Sequence, residues 1–179
     1  MRMIYVTGNR FSILQRMAFF AVSFFMCIHV AAQDSAISGI RAVMADVPSG
    51  FLSFKGNELP CQCGFYSRSD IEGTSENQIY SFHDFGTSIF PGYYLARIAV
   101  SARKLDWRKL GKWEKTIQKM AGSDFRRQSY TFRNKVLGDG KGTRWSNDEM
   151  TIQVYYQRDP KSKLYFIYLT IGARQDTDR

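Results

Sequence analysis

The strongest β signal in this chain lies in residues 150–171, MTIQVYYQRDPKSKLYFIYLTI. Apolar and polar side chains alternate over residues 150–157, which is the period of a strand with one buried face. Residues 159–163 hold a proline and four polar side chains, and residues 164–171 again have the composition of a strand. The stretch therefore predicts an antiparallel β-hairpin.

The register of this hairpin decides which side chains enter the core, because a shift by one residue reverses both faces. A tight turn predicts that Arg158 faces Leu164. In that register the core side carries Ile152, Val154, Tyr156, Phe166 and Tyr168. The other side carries Tyr155, Gln157, Tyr165, Ile167 and Leu169, a mixed set that is typical of a central strand.

Two amphipathic helices are predicted before the hairpin. Residues 34–47 repeat apolar side chains at spacings of three and four, and a Pro-Ser-Gly stop follows them. The second helix begins after Asp106 as its cap and ends at Gly122. Its apolar stripe consists of Trp107, Leu110, Trp113, Ile117 and Met120.

Strand composition recurs in residues 51–55, 62–68, 78–83, 93–102 and 129–133. By contrast, the glycine-rich sequence of residues 138–142 predicts a flexible turn. The fold class is therefore α+β: an antiparallel sheet of about six to seven strands with two amphipathic helices on one face. This element order is compatible with two α-β-β-β units.

The segment Phe51-Leu52-Ser53-Phe54-Lys55-Gly56 follows the first helix. Its pattern, an aromatic residue followed after three positions by Lys-Gly, resembles an element of small uncharacterised exported bacterial proteins. The resemblance implies an exported α+β fold. It carries over no activity and no functional residue.

The amino-terminal residues predict export. An apolar run at residues 17–30 follows three arginines and leads into Val30-Ala31-Ala32, which fits a signal peptidase site. The run is shorter than the roughly 20 apolar residues of a spanning helix. We expect residues 1–32 to be a signal peptide and residues 33–179 to be a single α+β domain without a permanent membrane span. The expected location is periplasmic or extracellular.

Charge is distributed unevenly along the chain. Removal of the predicted leader takes away three arginines and lowers the formal net charge from +9 to +6. Residues 33–96 hold three basic and seven acidic side chains, whereas residues 97–179 hold nineteen basic and nine acidic ones. Such asymmetry favours an acidic partner for the C-terminal half. The candidate binding residues are Lys109, Lys112, Lys115, Lys119, Arg126, Arg127 and Arg133.

Groups capable of catalysis are few. After the predicted leader only Cys61, Cys63 and His83 offer thiol or imidazole chemistry, and a base beside a nucleophile is the usual requirement. The two cysteines are compatible with a labile redox pair, half of a metal site, a structural bridge or two half-buried thiols. Paired zinc-ligand spacings and a phosphate-binding loop are missing from the sequence, so no metal and no cofactor are expected.

These observations leave three functional hypotheses. The leading one is an exported, non-enzymatic binding or interaction module that contacts an unknown protein or anionic ligand through its basic C-terminal half. The second is a small hydrolase or thiol-dependent enzyme centred on Cys61, Cys63 and His83. The third is polyanion binding, with nucleic acid disfavoured because an exported protein meets little of it. The sequence does not specify the oligomeric state.

Overall fold

The hairpin of residues 150–171 lies inside an eight-stranded antiparallel sheet in the computed structural model, which describes residues 35–83, 89–134 and 138–174. The strands are β1 (Lys55–Glu58), β2 (Gly64–Ser67), β3 (Ser75–His83), β4 (Ile89–Ser101), β5 (Arg126–Asn134), β6 (Gly138–Ser146), β7 (Met150–Arg158) and β8 (Tyr165–Ala173). The helices are α1 (residues 35–45) and α2 (Trp107–Ala121), and a turn of 3-10 helix spans Val47–Ser49. The predicted leader, residues 1–32, lies outside the described residues.

The strand order is β1-β2-β3-β4-β8-β7-β6-β5, and every neighbouring pair is antiparallel. Each helix is followed in the chain by four strands, and the two sets of strands meet where β4 pairs with β8. The prediction of an α+β fold with an antiparallel sheet is confirmed. The predicted six to seven strands were too few, and each unit is α-β-β-β-β instead of α-β-β-β.

The strand that the sequence did not predict is β6. Its glycines are typical of a turn in sequence. In the structure they lie where neighbouring strands and side chains come too close to the β6 backbone to leave room for a Cβ atom. A Cβ on Gly140 would be 2.2 Å from Cζ of Phe132, and a Cβ on Gly142 would be 2.4 Å from Cβ of Tyr155. The prediction of a flexible turn at residues 138–142 is therefore wrong, because glycine here serves close packing inside a sheet.

The register of the β7–β8 hairpin also differs from the prediction. Arg158 faces Tyr165 instead of Leu164. The turn is one residue longer than expected: the Asp159 N–H donates to the carbonyl of Leu164 (2.9 Å), and Lys163 adopts a left-handed φ of 61°. Both faces of β8 are consequently exchanged. Phe166 and Tyr168 lie outside the core, and the β8 side chains that enter it are Ile167, Leu169 and Ile171.

The first predicted strand, residues 51–55, is mostly a turn. The backbone N–H of Phe51 donates to the Asp46 carbonyl (3.0 Å), and that of Ser53 donates to the Asp46 carboxylate (2.9 Å). These bonds curl the chain around Asp46, so that β1 starts only at Lys55. The ring of Phe51 is fully buried.

The core lies on one face of the sheet, here called the helix side. Buried residues of both helices belong to one cluster with inward-facing residues of the strands, including Ile79, Ile152 and Leu169. Two polar contacts fix α2 on the helix side: the Thr143 hydroxyl donates to the Glu114 carboxylate (2.7 Å), and the Trp145 indole N–H donates to the Gln118 amide oxygen (2.9 Å). None of the described side chains on the opposite face, here called the open side, belongs to this cluster.

Helix α2 follows its prediction closely at both ends. The Lys109 N–H donates to the Asp106 carboxylate (3.0 Å), which confirms the N-terminal cap, and Gly122 follows the helix with a positive φ of 60°. Leu110, Trp113 and Ile117 are buried as expected. Trp107, predicted in the same stripe, is 63 % exposed. Neither described helix has the length and apolar character needed to cross a bilayer.

Two glycine substitutions distinguish a strand from a flexible turn at β6. Gly142→Ala places a methyl group against Tyr155 Cβ and the Val154 carbonyl, and we expect a loss of about 1–3 kcal/mol in the free energy of unfolding. The matched control is Gly111→Ala in α2, where a Cβ meets nothing within 4 Å. This control should gain about 0.5–1 kcal/mol, since alanine favours a helix. Urea unfolding measures both, and a neutral Gly142→Ala variant would contradict the placement of β6.

Candidate functional site

The open side of the sheet carries a large set of aromatic side chains. Alternation along each strand, combined with the pairing of neighbouring strands, puts them on one face. The described members, here called the aromatic face, are Tyr66, Tyr80, Tyr93, Tyr130, Phe132, Tyr155, Phe166 and Tyr168. All except Tyr66, which is 45 % exposed, are half-buried.

The rings of the aromatic face contact one another across strands. Tyr80 and Tyr93 stack with their centroids 5.3 Å apart, and Tyr155 lies 5.5 Å from Tyr168. Phe166 stacks on Tyr168 at 5.9 Å. Side chains of these sizes on adjacent strands pack because facing residues come within about 5 Å of each other. These ring contacts form two groups on the open side: Tyr80 with Tyr93, and a larger set of five rings on β5, β7 and β8.

The β6 glycines explain why the rings lie close to the backbone. Phe132 packs over Gly140, and Tyr155 packs beside Gly142. Phe132 and Tyr155 then meet edge to face at 5.8 Å. Two glycines that look like a turn in the sequence thus seat two aromatic rings, a known way to cover glycine in a sheet.

Burial changes the ionisation of the tyrosines on this face. It raises the pKa of Tyr130 to about 12, although the nearby positive charge of Arg144 acts in the opposite direction. Burial also raises the pKa of Tyr155, and the neighbouring tyrosines, Tyr130 first among them, add to that rise. The pKa values of Tyr80, Tyr93 and Tyr168 are raised mainly by burial as well. All five hydroxyls therefore stay neutral at physiological pH.

Arginines border the aromatic face. The Arg144 guanidinium lies 5.4 Å from the ring centre of Tyr130, and Arg97 forms an ion pair with Glu76. At one end of the face a polar groove of about 690 Å³ is lined by three arginines and two aspartates, among other residues. These charged residues are Arg126, Arg144, Arg174, Asp124 and Asp148. Asp148 is paired with Arg174 (3.1 Å), so the groove keeps an excess of positive charge.

The structure divides the binding residues predicted from the sequence between two surfaces. Lys109, Lys112, Lys115 and Lys119 are exposed on α2, which covers the helix side. Arg127 and Arg133 point to that same side, where Arg127 lies 5.9 Å from the Trp145 ring and Arg133 is 3.7 Å from Asp139. Arg126 alternates to the open side and lines the groove. A partner that binds one face of the sheet therefore cannot contact all seven of the predicted binding residues.

The two cysteines are joined to each other. Cys61 and Cys63 form a disulfide in the turn between β1 and β2, so neither is a free thiol in this structure. His83 ends β3, which pairs with β2 through Tyr80 and Gly64, and this is the end of the strand pair where the disulfide lies. The side chain of His83 is outside the described part of the chain. Among described residues, no group of three or more His, Cys, Asp or Glu could hold a metal ion.

The sequence interpretation missed most of the aromatic face. Apolar rings at alternate positions of a strand are ordinarily core residues, and the predicted hairpin register assigned Phe166 and Tyr168 to the core. One signal was available: Tyr130 and Phe132 alternate with Arg127, Arg133 and other polar residues on a strand whose two faces are both partly polar.

A comparison of the chain with protein-family models, curated proteins and solved structures found no match.

The raised tyrosine pKa values predict a stability that falls at high pH. In the unfolded chain a tyrosine ionises near a pKa of 10, whereas burial holds Tyr155 neutral to higher pH in the folded chain. The contribution of these tyrosines to the free energy of unfolding should be constant below about pH 9 and should fall as the pH rises above about 10, because the unfolded state then loses protons first. Tyr155→Phe should reduce this slope by at most about 1.4 kcal/mol per pH unit. Urea unfolding at a series of pH values measures it, and equal slopes for both proteins would contradict the burial of this hydroxyl.

Proposed function

We propose that the chain is an exported, non-enzymatic binding module that recognises an acidic protein partner through the open side of its sheet. The observation that carries this proposal is the aromatic face, a set of eight rings on one surface of the sheet, none of which belongs to the buried cluster. A single-sided core would need only one apolar face. A second aromatic face is typical of an interaction surface.

The composition of the aromatic face supports a protein partner. Tyrosine and arginine are the residues most enriched at the energetic centres of protein interfaces, because they bury a large area and keep a polar end. Here six tyrosines and two phenylalanines are bordered by Arg97 and Arg144. The tyrosines already lose little side-chain freedom on binding, since neighbouring rings restrict them in the free protein.

Ring orientation argues against ligands that stack. Bases and sugars bind by lying on a free ring face. In Tyr80–Tyr93, Tyr130–Phe132 and Phe166–Tyr168 the rings stack on each other with interplanar angles of 21°, 27° and 12°. Stacking within each pair occupies one face of each ring, which leaves less ring surface for a base or a sugar. Tyrosine, with an apolar ring and a polar hydroxyl, suits the mixed apolar and hydrogen-bonding surface of a protein.

Charge supports an acidic partner. Among the described residues of the open side, Glu76 lies beside the rings, and its charge is paired with that of Arg97. The groove at the end of the face adds Arg126 and Arg144, whose charges exceed those of its acids once Asp148 is paired with Arg174. A carboxylate on the partner would be attracted to this end and would speed association. The lysines of α2 face the other way and take no part in this proposal.

Export is part of the same proposal. It rests on the predicted signal peptide of residues 1–32, and the Cys61–Cys63 disulfide is in keeping with an oxidising compartment. Export directs the search for the partner to the periplasm or the cell exterior.

Site-specific photo-crosslinking tests the proposed surface. A benzophenone side chain replaces Val100, which is 51 % exposed on the open side of β4, or Trp107, which is 63 % exposed at the start of α2. The full chain is expressed in its source cells, irradiated and analysed by gel. A discrete, protease-sensitive adduct is expected from position 100 alone. Equal adducts from both positions, or none from position 100, would contradict the proposal, and a nuclease-sensitive adduct would favour polyanion binding instead.

A pair of charge reversals tests the acidic character of the partner. Arg126→Glu lies in the groove and Lys115→Glu lies on α2, and both residues are exposed, so that neither change should alter folding. Arg126→Glu should lower the yield of the position-100 adduct about tenfold, because a like charge then opposes the partner's carboxylates. Lys115→Glu should leave the yield unchanged. Equal losses in both variants would mean that net charge, and not the groove, governs binding.

A further inference from the structure

The Cys61–Cys63 disulfide does little to hold the turn in which it lies. The Leu59 N–H donates to the Gly64 carbonyl (2.8 Å), and the Gln62 N–H donates to the Leu59 carbonyl (2.8 Å). Leu59 is also buried, and Gly64 is paired with Tyr80 of β3. The turn is thus closed by backbone hydrogen bonds and anchored on both sides without the bridge.

A bridge of this kind also limits the unfolded chain very little. The stabilisation that a disulfide gains by restricting the unfolded state grows with the length of the closed loop. Cys61 and Cys63 are two positions apart, close to the shortest loop that a disulfide can close. A purely structural role therefore explains little of why both cysteines are present.

The backbone between the cysteines is held in an uncommon conformation. Gln62 has a φ of 56°, in the left-handed region that side chains other than glycine seldom adopt. The Gln62 N–H bond to the Leu59 carbonyl fixes this conformation without help from the bridge, so it persists when the bridge is opened. Exposed disulfides accept electrons more readily than buried ones, and Cys61 of this bridge is exposed.

Accessibility differs between the two sulfur atoms. Cys61 is exposed and Cys63 is half-buried, so an incoming thiolate reaches Cys61 first. The chain contains one other cysteine, Cys27 in the predicted leader, so after cleavage the reduced pair can re-form only this bond within the chain. These properties belong to an exchangeable dithiol–disulfide pair.

We propose that Cys61–Cys63 is a thiol–disulfide exchange site that oxidises dithiols of exported peptides or proteins. A substrate thiolate attacks Sγ of Cys61, the Cys61–Cys63 bond breaks, and the electron pair leaves on Sγ of Cys63, which takes a proton from water. The second thiolate of the substrate then attacks the substrate's sulfur atom in the mixed disulfide, and Cys61 leaves as a thiolate. The substrate loses two electrons and gains a disulfide, and the Cys61–Cys63 pair is reduced to the dithiol.

This activity is separate from partner binding. The disulfide lies in the turn between β1 and β2, whereas Arg126 and Arg144 lie on β5 and β6 at the other end of the strand order. The hydrogen bonds that close the turn keep it folded in both redox states. An experiment can therefore contradict the disulfide-exchange proposal without contradicting the partner-binding proposal, and the reverse is also true.

Equilibration with glutathione tests the site. The full chain carrying Cys27→Ser is incubated without denaturant in millimolar mixtures of reduced and oxidised glutathione, and free thiols are counted by the gel shift of a maleimide polymer. The reduced fraction should rise from almost none to almost all across these mixtures, with an unchanged circular dichroism spectrum. A bridge that stays oxidised in every mixture, or reduction that unfolds the chain, would overturn the proposal.

Transfer to a substrate and single-cysteine variants complete the test. The oxidised Cys27→Ser chain is mixed with a synthetic dithiol peptide, and one peptide disulfide should appear for each bridge lost. In the same background, Cys63→Ser should form a mixed disulfide with oxidised glutathione about tenfold faster than Cys61→Ser does, because Cys61 is the exposed sulfur. Equal rates, or no disulfide gained by the peptide, would show that the bridge is only structural.

Discussion

The left-handed residue Lys163 sets the register on which the rest of this structure depends. It lengthens the turn after β7, so that Arg158 meets Tyr165 and every following pair of the hairpin is fixed. Because side chains alternate, this choice sends three aliphatic residues of β8 into the core and two aromatic ones out of it. The β4–β8 pairing then carries the same division of faces into the first four strands. The turn thereby places Phe166 and Tyr168 on the aromatic face.

The helix side is specific because polar contacts accompany its apolar packing. A buried threonine and a buried tryptophan each bond to a polar side chain of α2, so sliding the helix by one turn would leave buried donors without acceptors. Such a loss costs roughly 1–3 kcal/mol for each group. Apolar packing alone tolerates small shifts, whereas these two bonds do not. The core thereby holds α2 above β6 and β7 and keeps it away from the open side.

The sequence predicted what depends on local, periodic signals and missed what depends on tertiary context. The limits of α2 follow from Asp106, Gly122 and an amphipathic repeat, and the strands β7 and β8 follow from alternation. Strand β6 was missed because Gly140 and Gly142 serve neighbouring rings, and no local pattern separates that role from a turn. The hairpin register was missed because Lys163 occupies a left-handed position where glycine or asparagine is usual. The aromatic face depends on both, and for that reason it became visible only in the assembled sheet.

The mirrored strand order has a consequence for solubility. It leaves β1 and β5 at the two edges of the sheet, where unpaired backbone groups could join the edge of another molecule and begin aggregation. Strand β1 is only four residues long and is interrupted by an irregularity in its pairing. Strand β5 is long, but it carries Arg126, Arg127 and Arg133, and two approaching copies would bring these like charges together. Charge repulsion between the arginines on this edge thus disfavours strand addition, and this role does not depend on any ligand.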